Sequence, residues 1–549
     1  MAAILNVDFQ KYFILILLCF FSLLCYSLFF KKPKDGSHFP SSPPSLPIIG
    51  HLHLLLSVRP HRAFQKISSK YGPLLYLRIF NVPIVLVSSA SVAYEIFTTH
   101  DVNVSTHGKI SSKYGPLLYL RIFNVPIVLV SSASVAYEIF TTHDVNVSTH
   151  GVRIMEDSLL FGPETFTGAP YGDYYKFMKK LLVMNLFGTQ ALERSRAIRA
   201  DELERFYGDL LDKARKKESV EIGKEAMKLT NNNVCRILMG RTFSEEKGEA
   251  GRVRDSVKKT MGLIRKVVLS NTLGKPLKKL GISLFGKEIR RVSHGFDDLL
   301  EKNLREHEEK KPEKHQVMDM MDVLLAASRD ENAEYKITKN HIKLLFVELF
   351  LGGTDSAGQV TQWAMAEIIN KPSVLERLRQ EIDSVVEKTR LIQEADLPRL
   401  PYLQAVVKET LRLHPPAPVV VRMFEQGCKV GGFCIPEKTT LAKNVYAVMR
   451  DPDIWKDPND FKPERFLASS RSDQESIKYL PFGGGRRICP GLNLGYIFVE
   501  TAVGMMVQCF DWRLKGDKVV NMEETVSGMT LTMAHPLRCT HLPRTVPLA

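Results

Sequence analysis

Residues 481 to 491 read PFGGGRRICPG, and the fold turns on what Cys489 is for. A thiol set among glycines and arginines, between two prolines, suits four chemistries: a zinc ligand, a redox thiol, a buried core residue or the axial ligand of a haem. The other seven cysteines, Cys19, Cys25, Cys235, Cys428, Cys434, Cys509 and Cys539, form no CxxC pair and no close cluster. Neither a zinc ribbon nor a disulfide framework is suggested. Each of the seven fits a reduced, small apolar residue in a reducing compartment.

The chain has 549 residues, 44% of them hydrophobic and 25% charged, the balance of a folded protein and not of a disordered one. Its 75 basic and 60 acidic residues leave a net charge of +15. Such an excess favours acidic partners. The basic residues are spread through helix-like stretches such as KARKKESVEIGKE and form no single tract, so nucleic acid is discounted and a solvated surface or an acidic protein partner remains.

Tyr12 to Phe30 give 19 residues without a charge, which as a helix at about 1.5 Å per residue spans roughly a bilayer's hydrocarbon core. The run is too long for a signal peptide and no A-x-A-like site follows it. Lys31, Lys32 and Lys34 follow the span against Lys11 alone before it, so the rest of the chain is expected on the cytoplasmic side. Residues 1–34 are therefore the expected membrane anchor and basic flank. Residues 35–50 hold four prolines between positions 40 and 47 and form a stiff hinge. Residues 51–549 form the expected catalytic domain.

That domain contains an exact tandem duplication: residues 66–108 and 109–151 are the same 43 residues without a difference. Two copies are too few for a solenoid. Each contains two β-rich runs, LLYLRI and IVLVSS, joined at Asn-Val-Pro and followed by a helix-like SASVAYEIFTT. One copy is expected to fit the fold and the other to project as an extra hairpin and helix with exposed apolar edges, an aggregation hazard. Removing either leaves 506 residues.

From residue 185 to 415 the pattern is mainly helical. The spacing predicts one long helix from about Thr338 to Asn370, capped by threonine and closed before Pro372. Its middle carries Gly352, Gly353, Thr354, Asp355 and Ser356, although each interior glycine costs about 1 kcal/mol relative to alanine. Glycine admits close approach by another body, and a hydroxyl bonding back to the preceding turn bends a helix. A second helix, PYLQAVVKETLRL, places Glu409 and Arg412 three residues apart on one face. FKPERF adds Arg465 as a third charge.

In this order the pieces resemble the cytochrome P-450 haem-thiolate monooxygenases over nearly the whole chain. Gly352, Gly353, Asp355 and Ser356 match the family's oxygen-activating helix. Glu409 and Arg412 match its E-x-x-R pair, and Pro463, Glu464, Arg465 and Phe466 the segment completing that charged triad. Phe482, Gly485, Arg487, Cys489 and Gly491 fill F-x-x-G-x-R-x-C-x-G. The fold implied is mainly α with a small β portion, preceded by a single transmembrane helix.

The resemblance implies haem b with Cys489 as its iron ligand, a thiolate donating electron density that favours O–O cleavage. A helix starting just after Cys489 would stabilise that thiolate. Arg487, Arg422 and Lys179 are implied as propionate partners; Lys179 stands where relatives often have arginine, and Tyr175 where they have tryptophan. Asp355 and Ser356 are implied as a proton relay during oxygen activation. Relatives often have threonine in place of Ser356. Glu409, Arg412 and Arg465 become a structural network behind the haem.

Family geometry gives the substrate pocket as Phe161, Phe166, Leu351, Val420, Val421 and Leu531, an apolar lining that suits a small lipophilic substrate. FKPERFLASS, CFDWRLKGDK and LTMAHPL look like a plant subfamily associated with triterpene oxidation. The expected activity is insertion of one oxygen atom from O2 into a terpenoid, fed by NADPH through a separate NADPH-cytochrome reductase. The alternatives are a flavonoid or phenylpropanoid substrate, or a membrane protein inactivated by its duplication. The expected location is the endoplasmic reticulum membrane, single-pass, with the catalytic domain on the cytosolic face.

Overall fold

The computed structural model describes residues 70, 74–79, 82–87, 118–122, 125–130, 139, 144–149, 164–240, 249–278, 285–309, 319–430, 433–467, 479–514, 516 and 519–544. The expected membrane span, the proline-rich hinge and Phe161 lie outside the described residues.

Helices dominate. They are α1 (Asp173–Leu182), α2 (Thr189–Arg194), α3 (Arg196–Arg215), α4 (Ile222–Met239), α5 (Glu249–Lys278), α6 (Gly286–Glu309), α7 (Met320–Arg329), α8 (Lys339–Asn370), α9 (Pro372–Val385), α10 (Pro401–Leu413), α11 (Val445–Val448) and α12 (Leu492–Cys509). The long helix α8 starts where its sequence predicts. The Thr338 hydroxyl accepts from the His341 amide at 3.3 Å, and the His341 ring accepts from the Thr338 amide at 3.0 Å, a reciprocal cap. Its end abuts Pro372, the first residue of α9, because a proline amide cannot continue the ladder.

α8 is unbroken through Gly352 and Gly353. Close approach explains only one of these two glycines: a Cβ on Gly353 would lie 2.8 Å from Val234 of α4, whereas one on Gly352 would meet no atom within 4 Å. A third glycine, Gly358, extends the same seam, since its Cβ would lie 3.0 Å from the Met227 backbone of α4. Small residues therefore set the α4–α8 packing distance, as required in an interior packed to crystal density. α12 is the described helix long and apolar enough to cross a membrane, but it is largely buried in the protein and packs into the core through Phe498, Val503 and Met506.

The strands are β1 (Leu74–Ile79), β2 (Val82–Val87), β3 (Leu118–Ile122), β4 (Val125–Val130), β5 (Val220–Glu221), β6 (Val419–Met423), β7 (Cys428–Val430), β8 (Phe433–Ile435), β9 (Thr440–Asn444), β10 (Phe510–Leu514), β11 (Glu524–Ser527), β12 (Thr530–Met533) and β13 (Arg538–Pro543). The largest sheet runs β1-β2-β3-β4-β9-β6. Both repeat copies enter it as hairpins of the same register: Leu75 faces Leu86 in the first, Leu118 faces Leu129 in the second. Their connections differ. β4 of the second copy pairs with β9 in parallel from Ile127↔Thr440 to Val130↔Lys443, while among the described residues the first copy's hairpin reaches the rest of the sheet through β3 and β4.

Candidate active site

The cysteine loop owes its shape to glycine. Gly483 and Gly485 adopt φ values of +79° and +67°, a region that side-chain-bearing residues rarely enter. The turn they create brings the Cys489 amide to the Phe482 carbonyl at 3.0 Å, and the Phe482 ring lies 5.1 Å from that of Tyr496 on α12. Gly491 caps α12, and a Cβ there would lie 3.3 Å from the Phe187 ring. Cys489 remains exposed on the open side of the loop. Its surroundings push the thiol pKa up, partly offset by the Gly491 amide.

Cations surround the loop. The buried Arg487 guanidinium sits 3.6 Å above the Tyr175 ring and donates to the carbonyls of Phe166 (3.2 Å), Ser148 and Ala169. Tyr175 in turn stacks on Phe166 with centroids 4.8 Å apart. The Tyr175 hydroxyl and the Lys179 ammonium both donate to the Arg486 carbonyl, at 3.1 and 2.8 Å. Arg422 on β6 reaches the Arg487 carbonyl at 3.4 Å. Burial, then the Arg487 charge, lowers the Arg422 pKa to about 9. Lys443 on β9 is lowered to about 7 by burial and then by Arg422. Neutral carbonyls satisfy Arg487's hydrogen bonds without neutralising its charge, so this donor set, a thiol beside buried guanidinium groups, fits an iron porphyrin with acidic side arms.

Behind the loop the expected charged triad is assembled. Glu409 accepts from Arg412 Nε and Nη2 at 2.7 and 2.8 Å, from Arg465 Nε at 2.9 Å and from the Lys462 amide at 2.8 Å. Arg412 also donates to the carbonyls of Met449, Pro458 and Asp460. Both Glu409 and Arg412 are fully buried.

On α8, Ser356 donates back to the Gly352 carbonyl at 2.6 Å, the back-bond its sequence suggests. Asp355 is buried and accepts from Gln359 at 3.3 Å. Burial raises its pKa, opposed chiefly by a hydrogen bond from Thr530.

The described pocket residues lie on four segments: Phe166 before α1, Leu351 on α8, Val420 and Val421 on β6, and Leu531 on β12. Val420 and Val421 are neighbours on a strand and point to opposite faces, so one wall takes only one of them. Val420 packs against Val445, Met449 and Trp455. Leu531 is fully buried and its carbonyl accepts from Trp363. Leu351 is half-buried against the core, and Phe166 is buried beside Tyr175.

Three contributors are absent from the sequence reading. Glu348, two turns before Asp355, accepts from the amides of Phe166 and Thr167 at 2.8 and 2.9 Å and from the Thr167 hydroxyl, pinning the Phe166 segment to α8. Burial raises its pKa to about 7. An acid inside the apolar run LLFVELF was its only signal. Lys443 is the second, a lone cation in a strand. Asp144 is the third: its carboxylate accepts from the Arg486 amide at 2.9 and 3.1 Å and pairs with Arg486 Nε at 3.1 Å.

A family model described as Cytochrome P450 matches residues 40–112 and 101–538, the two matches overlapping inside the duplication. Cytochrome P450 705A22 of Arabidopsis thaliana is 58% identical, covering 100% of this chain and 99% of that protein. The 3,9-dihydroxypterocarpan 6A-monooxygenase of Glycine max is 36% identical over 97% and 98% of the two chains. A zebra fish cytochrome P450 structure with progesterone shares the fold, with a TM-score of 0.68 at 22% identity and coverage of 88% of this chain and 99% of that one. A cysteine loop at the head of α12, a buried glutamate–arginine network and a glycine-bearing long helix thus stand in a chain that belongs to the cytochrome P450 family and is one of its monooxygenases.

Proposed function

We propose that this monooxygenase inserts one oxygen atom from O2 into a lipophilic plant metabolite, a terpenoid, using electrons from NADPH delivered by a separate reductase. The observation that carries this reading is the Cys489 loop, shaped by Gly483 and Gly485 and bordered by Arg487, Arg422 and Lys179. Haem, when bound, supplies the oxygen-activating chemistry. The chain's own residues do the rest. Cys489 ligates the iron, with the α12 amino terminus favouring its anionic form. Arg487, Arg422 and Lys179 hold the acidic side arms. Asp355 and Ser356 hold and pass protons on the α8 side. Phe166, Leu351, Leu531 and one of Val420 and Val421 supply the apolar wall, with Glu348 holding the Phe166 segment to α8. The amino-terminal apolar run anchors the chain in the endoplasmic reticulum membrane with this site on the cytosolic face.

A second reading, a flavonoid or related phenolic substrate, is favoured by one finding, the relative whose name gives a pterocarpan as its substrate. Substrate-binding difference spectra separate the two. Purified haem-loaded protein titrated with terpenoids is expected to show a saturable substrate-induced shift of its Soret band. A shift with pterocarpans and flavonoids alone would replace the terpenoid reading by the second. If the protein binds no haem at all, and binds it only once one repeat copy is deleted, the duplicated chain is inactive.

A further inference from the structure

The duplication gives every residue between 66 and 108 a twin 43 positions on. Twins have the same local propensities, so only tertiary contacts distinguish them. The second copy makes those contacts where they bear on the cysteine loop. Asn146 exchanges hydrogen bonds with the Gln426 backbone at 2.7 and 3.0 Å, and its carbonyl accepts from the Glu425 amide at 2.9 Å. The Thr149 carbonyl accepts from Met423, the last residue of β6, at 2.8 Å. The Ser148 carbonyl accepts from Arg487, and the Asp144 carboxylate receives the Arg486 amide and guanidinium. Val147 and Ser148 are both buried. One seat on β6 and the loop cannot hold two segments.

We propose that the two copies are chemically equal candidates for a single seat, that the second copy holds it through Val125–Val130 and residues 144–149, and that Asp144, not its twin Asp101, is the positioning residue for the Cys489 loop. The family match supports this independently. Its first part runs through the first copy and stops at residue 112, and its second part begins at residue 101 and continues to 538, so the second copy is the one continuous with the rest of the catalytic domain. The positioning role rests on Cys489 as iron ligand; the seating does not.

Deleting either copy yields the same 506-residue chain, so deletion cannot tell the twins apart, but point variants can. In the full-length haem protein, Asp144→Ala should speed haem transfer to apomyoglobin about tenfold, the scale of losing a charge-assisted hydrogen bond. It should also lower the fraction of reduced protein showing the red-shifted carbon monoxide band at unchanged Tm. Asp101→Ala should match the parent. Equal effects from both variants, or no effect from Asp144→Ala, would overturn the proposal. Seating is tested separately and needs no haem. Val147→Cys should react with maleimide at least about tenfold more slowly than Val104→Cys, and equal rates, or the reverse order, would place the wrong copy in the seat.

Discussion

Glu409, fully buried, and Glu348, half-buried, are both carboxylates of the same site, and they are held in different ways. Glu409 receives two guanidinium groups and a backbone amide. Glu348 receives two backbone amides and one hydroxyl, all neutral, and burial lifts its pKa to about 7. A carboxylate matched by cations becomes scaffold, because its charge is offset where it is made. One held only by neutral donors still carries the cost of desolvation and titrates near neutrality. Asp355 belongs with Glu348: its partners are the neutral Gln359 and Thr530, and its pKa is also raised. Of these three acids, the two held by neutral donors lie on α8 and the one met by guanidinium groups lies behind the loop, which separates groups that can exchange protons from one that holds the frame.

The largest effect should come from breaking the matched pair. Arg412→Ala removes one of the two guanidinium groups on the buried Glu409 and the donor to three carbonyls, and should cost about 3–5 kcal/mol, seen as loss of haem-loaded protein and a collapse of the thermal transition. A small change there would put Glu409 in the same class as Glu348. Asp355→Asn should leave the thermal midpoint at or above the parent's while lowering turnover about 100-fold, the lower end of what general acid catalysis contributes. Destabilisation without a specific loss of turnover would make Asp355 scaffold too.

Smaller effects should appear as pH slopes. Glu348 has a folded pKa above its usual 4.5, so the folded state binds the extra proton and stability falls as pH rises from about 4.5 through 7. The advantage of the parent over Glu348→Gln should therefore shrink across that window, by at most about 1.4 kcal/mol per pH unit. Paired denaturation curves at pH 5 and 8 test this. Lys443 should behave in the opposite sense. Its folded pKa is lowered to about 7 from 10.5, so stability is lost as pH falls through that range. Lys443→Met should raise the midpoint of the haem-free protein most at pH 7 and below, and least near pH 10. Parallel curves for either variant would mean that the buried charge is already neutralised.

Much of this was legible in the sequence because it is local. The Thr338 cap, the Pro372 stop and the three-residue spacing of Glu409 and Arg412 depend on neighbours a turn or two away, and each is found. The loop glycines were legible in type, although their reason, positive φ at Gly483 and Gly485, needs the backbone. What escaped is non-local. Glu348 meets Thr167 across 181 positions, and no periodicity announces that contact. The role of Gly353 depends on Val234 of another helix. Val420 and Val421 were grouped by family geometry, whereas neighbours on a strand point to opposite faces. Asp144 was invisible for another reason: its sequence occurs twice, and only packing tells the copies apart.

The most direct measurement is the carbon monoxide spectrum of reduced Cys489→Ser beside the parent. With Cys489 as the iron's sulfur ligand, the parent shows the red-shifted Soret band and the variant, at equal haem content, lacks it together with turnover. A variant that keeps both the band and the activity would show that the sulfur bound to iron comes from another residue.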